Sequence, residues 1–205
     1  MADSRLSAAA SQPVFFYDLG SPECYLVAEQ VGGLAEWEPV LASDISDRIS
    51  AGKRSDIERA GTRLDIEHAG TRSDIERYAA ELGLQPLRWP SDWPPDSRIA
   101  MLAATYAKGI GRAVAFSLAA FRQEFAAGRD VGDEVTLLIA GAACEIHPSA
   151  LLKGISLRSV GEGLGQAGER ARACGVRSLP ALVVGTSIFE GLRPATDAAL
   201  SLRAR

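Results

Sequence analysis

Residues 14–27, VFFYDLGSPECYLV, constrain the fold of this chain more than any other stretch. Val14, Phe15, Phe16 and Tyr17 follow one another with no polar alternation, the pattern of a short strand buried on both faces of a parallel or mixed sheet. Asp18-Leu19-Gly20 then turn the chain into Ser21-Pro22, and this pair predicts a helix start. Ser21 caps the helix, and Pro22 at the first helical position gives up no N–H bond. Cys24 falls in the first turn. Unpaired N–H groups and the positive end of the macrodipole favour a thiolate there, whether the protein's own or a ligand's.

A strand running into a helix whose first turn reads Ser21-Pro22-Glu23-Cys24 resembles the active-site motif of the DsbA-like branch of the thioredoxin superfamily. Redox members of that branch carry Cys-Pro-x-Cys at this place. Its glutathione-using members, the 2-hydroxychromene-2-carboxylate isomerases and the kappa-class glutathione transferases, carry Ser-Pro followed by an aromatic or small residue. Ser21 stands where the redox members keep the attacking Cys, so the first thiol of a dithiol pair is absent. Farther on, Gly175-Val176-Arg177-Ser178-Leu179-Pro180 and the apolar run behind it are similar to the family's Gly-Val-x-x-x-Pro loop and following strand. The resemblance implies a cis Pro180, with the backbone at Leu179 and Pro180 pairing with the peptide-like part of a substrate or of glutathione.

The fold so implied is α/β, a thioredoxin-like domain formed by residues 13–43 and 156–205 and interrupted by an all-helical domain at 44–155. The leading functional expectation is an isomerase or transferase that depends on glutathione or another low-molecular-weight thiol and acts on a small aromatic or anionic molecule. In it Ser21 poises the cofactor thiolate, while Pro22, Leu179, Pro180 and Arg193 contribute to cofactor binding. Two alternatives stand beside it: a DsbA-like thiol oxidoreductase working through Cys24, and a thioredoxin-fold binding protein without turnover. One departure bears on the choice. Where the family shows Phe-Trp-Gly-x-Asp-Arg, this chain reads Phe189-Glu190-Gly191-Leu192-Arg193-Pro194. Arg193 takes the place of the acid that helps hold the γ-glutamyl amine, and a cation there repels an ammonium group.

Composition excludes several classes. The 205 residues, 47% of them hydrophobic, suffice for one domain with a substantial core or one with an insertion. A net charge of −4 with no basic run gives no footprint for nucleic acid. The N-terminal stretch has an early acid and no apolar run of signal-peptide length, and no segment is long enough to span a bilayer, so a cytoplasmic location without membrane partners is expected. A small-molecule substrate is the expected partner, with a homodimer as an admissible assembly. Cys24, Cys144 and Cys174 are three in number, which favours reduced thiols over a disulfide framework. His68 and His147 are isolated, and no Cys, His or carboxylate spacing suggests a metal.

Along the chain, a second strand is expected over 38–42, with Pro39 near its beginning, and strand signals then vanish until Ala181. A nine-residue repeat occupies 55–81 (SDIERAGTR, LDIEHAGTR, SDIERYAAE). Nine residues make two and a half helical turns, so Ile57, Ile66 and Ile75 cannot share one apolar stripe, and only the last copy continues into an amphipathic helix closed by Gly83. Residues 84–95, rich in Pro and Trp, cannot be regular helix. Trp89 and Trp93 there either floor an apolar pocket or anchor an irregular crossing to the core. Helices are expected over 99–108, 112–127, 134–144, 149–155, 160–174 and 195–202, and a hairpin joins strands at 181–184 and 187–190.

Overall fold

The computed structural model describes residues 12–46 and 71–204. Its four strands, β1 (Val14–Tyr17), β2 (Glu36–Pro39), β3 (Ala181–Val184) and β4 (Ser187–Glu190), form one mixed sheet in the order β2-β1-β3-β4. β1 runs parallel to β2 and antiparallel to β3, and β3 antiparallel to β4. The absence of alternation in β1 has a direct cause. Phe15 and Tyr17 point into the main core, whereas Phe16 points the other way, into a second cluster with Val40, Ile45, Ala167, Ala171 and Val176. Both faces of the strand are therefore covered, one by helices α1 (Pro22–Val31) and α9 (Leu192–Arg203), the other by α2 (Ala42–Ser46) and α8 (Arg158–Ala173).

The helices between the two halves of the sheet are α3 (Arg72–Glu81), α4 (Arg98–Gly109), α5 (Ala113–Phe125), α6 (Glu134–Ala142), α7 (Pro148–Ser156) and α8. Their expected existence holds, with ends displaced by at most three residues, as fraying and cap chemistry allow. The core runs without a break from the sheet into α5. Tyr17 stacks on Phe15, tilts against Phe121 at 5.9 Å and shares a 2.7 Å hydrogen bond with the Ser117 hydroxyl. Tyr25 of α1 stacks on Phe125 at 5.6 Å. These contacts fix the tilt of α1, and with it the direction in which its N-terminus points.

The second strand differs from the expectation. It begins at Glu36, ends at Pro39, and residues 42–46 are helix. Trp37 supplies the buried apolar position facing Phe15 and Tyr17, and Glu38 turns to the opposite face to meet Lys108 and Arg170 at 2.6 and 2.9 Å. Past Pro39 the Val40 N–H makes a last bond to the Tyr17 carbonyl at 3.0 Å, and the buried Asp18 carboxylate then accepts the Ala42 N–H at 2.8 Å, which starts α2. Of the repeat, the last copy forms α3, capped by a reciprocal pair of bonds between Thr71 and Asp74 and followed by Gly83 at φ +70°. Ile57 and Ile66 of the earlier copies, and His68, lie outside the described residues. Trp89 and Trp93 are anchors. They meet edge to face at 5.1 Å, Trp89 packs on Phe125, and Arg72 lies over both rings.

Candidate active site

A cleft of about 670 Å³ opens where five segments meet: the N-terminus of α1, α2, the α3 face bearing Asp74, Ile75, Arg77 and Tyr78, the loop at 177–179, and the turn from β4 into α9 at 190–193. Ser21, Leu179 and Arg193, all expected at a site, line this one cleft. Trp89 and Trp93 do not.

Ser21 is the N-cap of α1. Its backbone is extended, its Oγ accepts the Cys24 N–H at 3.2 Å, and Pro22 occupies the first helical position. The hydroxyl proton has a partner too, because Ser21 Oγ donates to Glu23 Oε2 at 3.0 Å. This neighbour was not singled out in the sequence. Its signal was present, since an acid in the first helical turn is where the macrodipole favours one. Asp18 reads in the sequence as a turn residue only. Its Oδ1 accepts the Gly20 N–H at 2.9 Å, an Asx turn that Asp followed by Gly two residues on suggests, while Oδ2 holds Ala42. Burial pushes the Asp18 carboxyl up, opposed by these bonds and by one with Ser97.

Cys24 stands behind the cleft rather than in it. It is fully buried, its sulfur accepts the Asp18 N–H at 3.5 Å, and burial pushes the thiol far up despite the bonds with Ser21 and the Asp18 backbone. Of the two roles its place in the helix admits, a reactive thiolate or a small buried packing residue, the structure gives Cys24 the surroundings of the second. Desolvation opposes the charged form more strongly than the helix N-terminus favours it. Cys144 is buried as well, Cys174 is exposed, and all three are free thiols.

On the far wall the Leu179–Pro180 peptide is cis. Pro180 is buried, its carbonyl accepting the Gly191 N–H at 2.8 Å, and Leu179 lines the cleft. Glu190 braces the same loop, because Oε1 accepts the N–H groups of Arg177 and Ser178 at 2.5 and 3.1 Å. The residue that replaces the family's Trp is thus a structural clamp. Arg193 lies in the first turn of α9 with its guanidinium 4.7 Å over the Tyr78 ring and 3.9 Å from Glu81 Oε2. Among the described residues, no group of three or more His, Cys, Asp or Glu side chains is placed to hold a metal, and no helix is long and apolar enough to cross a membrane.

A β-α-β unit followed by helices and a closing β-β-α unit, with a capped helix N-terminus facing a cis-proline loop, defines a thioredoxin-fold protein. The chain belongs to the DsbA-like thioredoxin domain family, which matches residues 14–200. Among solved structures it is similar to 2-hydroxychromene-2-carboxylate isomerase, with TM-score 0.72, 18% identity, and coverage of 94% of this chain and 92% of that one. It is also similar to the cytosolic disulfide reductase DsbM from Pseudomonas aeruginosa with GSH, with TM-score 0.61, 17% identity and coverage of 94% and 95%. At these identities the likeness is one of fold. No curated protein matches the sequence.

Proposed function

We propose that the protein is a thiol-dependent isomerase or transferase, comparable in chemistry to 2-hydroxychromene-2-carboxylate isomerase, whose cleft holds glutathione or a similar small thiol together with a small aromatic or anionic substrate. The observation that carries this reading is the sharing of one cleft by Ser21 and Leu179, with Cys24 buried behind them. A hydroxyl at a positive helix end is a donor suited to a thiolate sulfur, and the Leu179 N–H and C=O are complementary to a peptide-like ligand. A cytoplasmic setting, where thiols stay reduced, agrees with three unpaired cysteines.

Glu23 favours a second reading, a cleft that binds its ligand without turnover. Its carboxylate already accepts the Ser21 hydroxyl hydrogen bond, and a like charge within a few ångströms disfavours a thiolate. One set of titrations separates the two. Bound-thiol ionisation is followed by ultraviolet thiolate absorbance with glutathione in wild type, Ser21→Ala and Glu23→Gln. The catalytic reading expects the bound thiol pKa to rise in Ser21→Ala and to fall in Glu23→Gln, by about one unit each, with turnover following it. A bound-thiol pKa unchanged in Ser21→Ala leaves only the binding role.

A further inference from the structure

The charges lining the cleft are balanced in number but not in commitment. Asp74 is held by Thr71 and by Arg77 at 2.7 Å, Glu190 is committed to two backbone N–H groups, and Glu23 accepts from Ser21. Each acid therefore has a donor. Arg177 and Arg193 are less well satisfied. The Arg177 guanidinium makes no hydrogen bond or ion pair with any described residue, and Arg193 is held by the Tyr78 ring and by a single carboxylate oxygen at 3.9 Å. Both side chains line the cleft beside the start of α9, where Gly191 provides no side-chain cap and the N–H groups of Leu192 and Arg193 have no intrahelical acceptor. Two guanidinium groups and a helix N-terminus give that end of the cleft several uncommitted donors, beside a Glu190 carboxylate whose Oε1 is already engaged by two backbone N–H groups.

From this we infer that the cleft selects a thiol whose far end is purely anionic, bearing carboxylate and no ammonium. The inference rests on the thiol-binding reading for the ligand's sulfur end, and on Arg177 and Arg193 for its other end. A zwitterionic end places an ammonium near two cations with no uncommitted acid beside them, whereas a bare carboxylate accepts from Arg193, Arg177 and the α9 amides together.

The test uses three probes with the full chain, read by titration calorimetry: glutathione; glutaryl-cysteinyl-glycine, which differs from it only in lacking the ammonium; and glutarate alone. The wild type is expected to bind the glutaryl thiol about tenfold more tightly than glutathione, a difference of about 1.4 kcal/mol. Arg193→Asp, which sets an acid at the exposed first turn of α9, should reverse that order, and Arg177→Gln should weaken the glutaryl thiol more than glutathione. Glutarate bound by the wild type and lost in Arg193→Gln, with neither thiol bound, supports the anionic end while removing the thiol reading. Equal affinities for the two thiols, an order unchanged in Arg193→Asp, or no binding of any probe overturns the inference.

Discussion

Glu124 shows how much one side chain can depend on its surroundings. It is fully buried on α5, its Oε2 accepts the Val131 N–H at 2.6 Å, and Oε1 has no partner among the described residues. Burial pushes its carboxyl up to about 7. A carboxyl raised in the folded state makes the native protein bind a proton that the unfolded chain releases, so its contribution is fully favourable below the unfolded value. It is lost as pH climbs from about 4.5 through about 7. Glu124→Gln should therefore flatten this part of the stability profile and exceed the wild type in stability at pH ~8, by at most about 3 kcal/mol. Urea unfolding at several pH values measures it, and parallel profiles for the two proteins would contradict the assignment. At Ser21 the same scale of reasoning gives a hydroxyl with two partners, Cys24 N–H and Glu23, so any ligand donor role at this residue competes with a carboxylate already in place.

At the scale of elements, the helices are held together by close approaches that their sequences disguise. Gly154 on α7 faces Tyr106 on α4, and a Cβ added at Gly154 would stand 2.3 Å from the ring. In an isolated helix Gly→Ala is stabilising by nearly 1 kcal/mol, because glycine loses more backbone entropy. Here the clash reverses the sign. Gly154→Ala is expected to destabilise by about 1–3 kcal/mol, the range for overpacking a filled interior, and thermal unfolding reads the change. A stabilised variant would mean that α4 and α7 part easily. Gly161 on α8, with open space around its position, serves as the control, since Gly161→Ala should gain the propensity term alone.

For the whole molecule, the arrangement that matters is the separation of the thiol from the cleft. The redox members of the family depend on an attacking thiolate at the position Ser21 occupies, and Cys24 is sealed beneath it, where burial pushes its thiol up. Thiol–disulfide exchange needs a thiolate with access and a leaving partner. Reduction of insulin by dithiothreitol should accordingly run no faster with the protein than without it. An acceleration abolished by Cys24→Ser would instead make the oxidoreductase the better description. The cleft itself gathers α1, α2, α3 and the loops before β3 and α9, elements separated by more than a hundred residues, which is why its charge balance belongs to the assembled fold.

Local patterns in the chain were sufficient for much of this. The apolar run Val14–Tyr17 spells a strand covered on both faces, Ser21-Pro22 spells a helix start, and the hairpin Ala181–Val184 with Ser187–Glu190 follows from two short strand segments divided by Gly185-Thr186, because these are set by neighbours within a few residues. The second strand was misplaced because its end is decided by a side chain 24 residues away, Asp18 capturing the Ala42 N–H. Cys24 was read as a thiolate candidate from its place in the helix. The burial that neutralises it comes from the packing of the sheet, α1 and α5 around it. Glu190 looked like a lost aromatic and proved to be the brace of the cis-proline loop. Caps and strand patterns are short-range and written in order along the chain; desolvation and the pairing of charges depend on distances in space, and those only the tertiary structure decided.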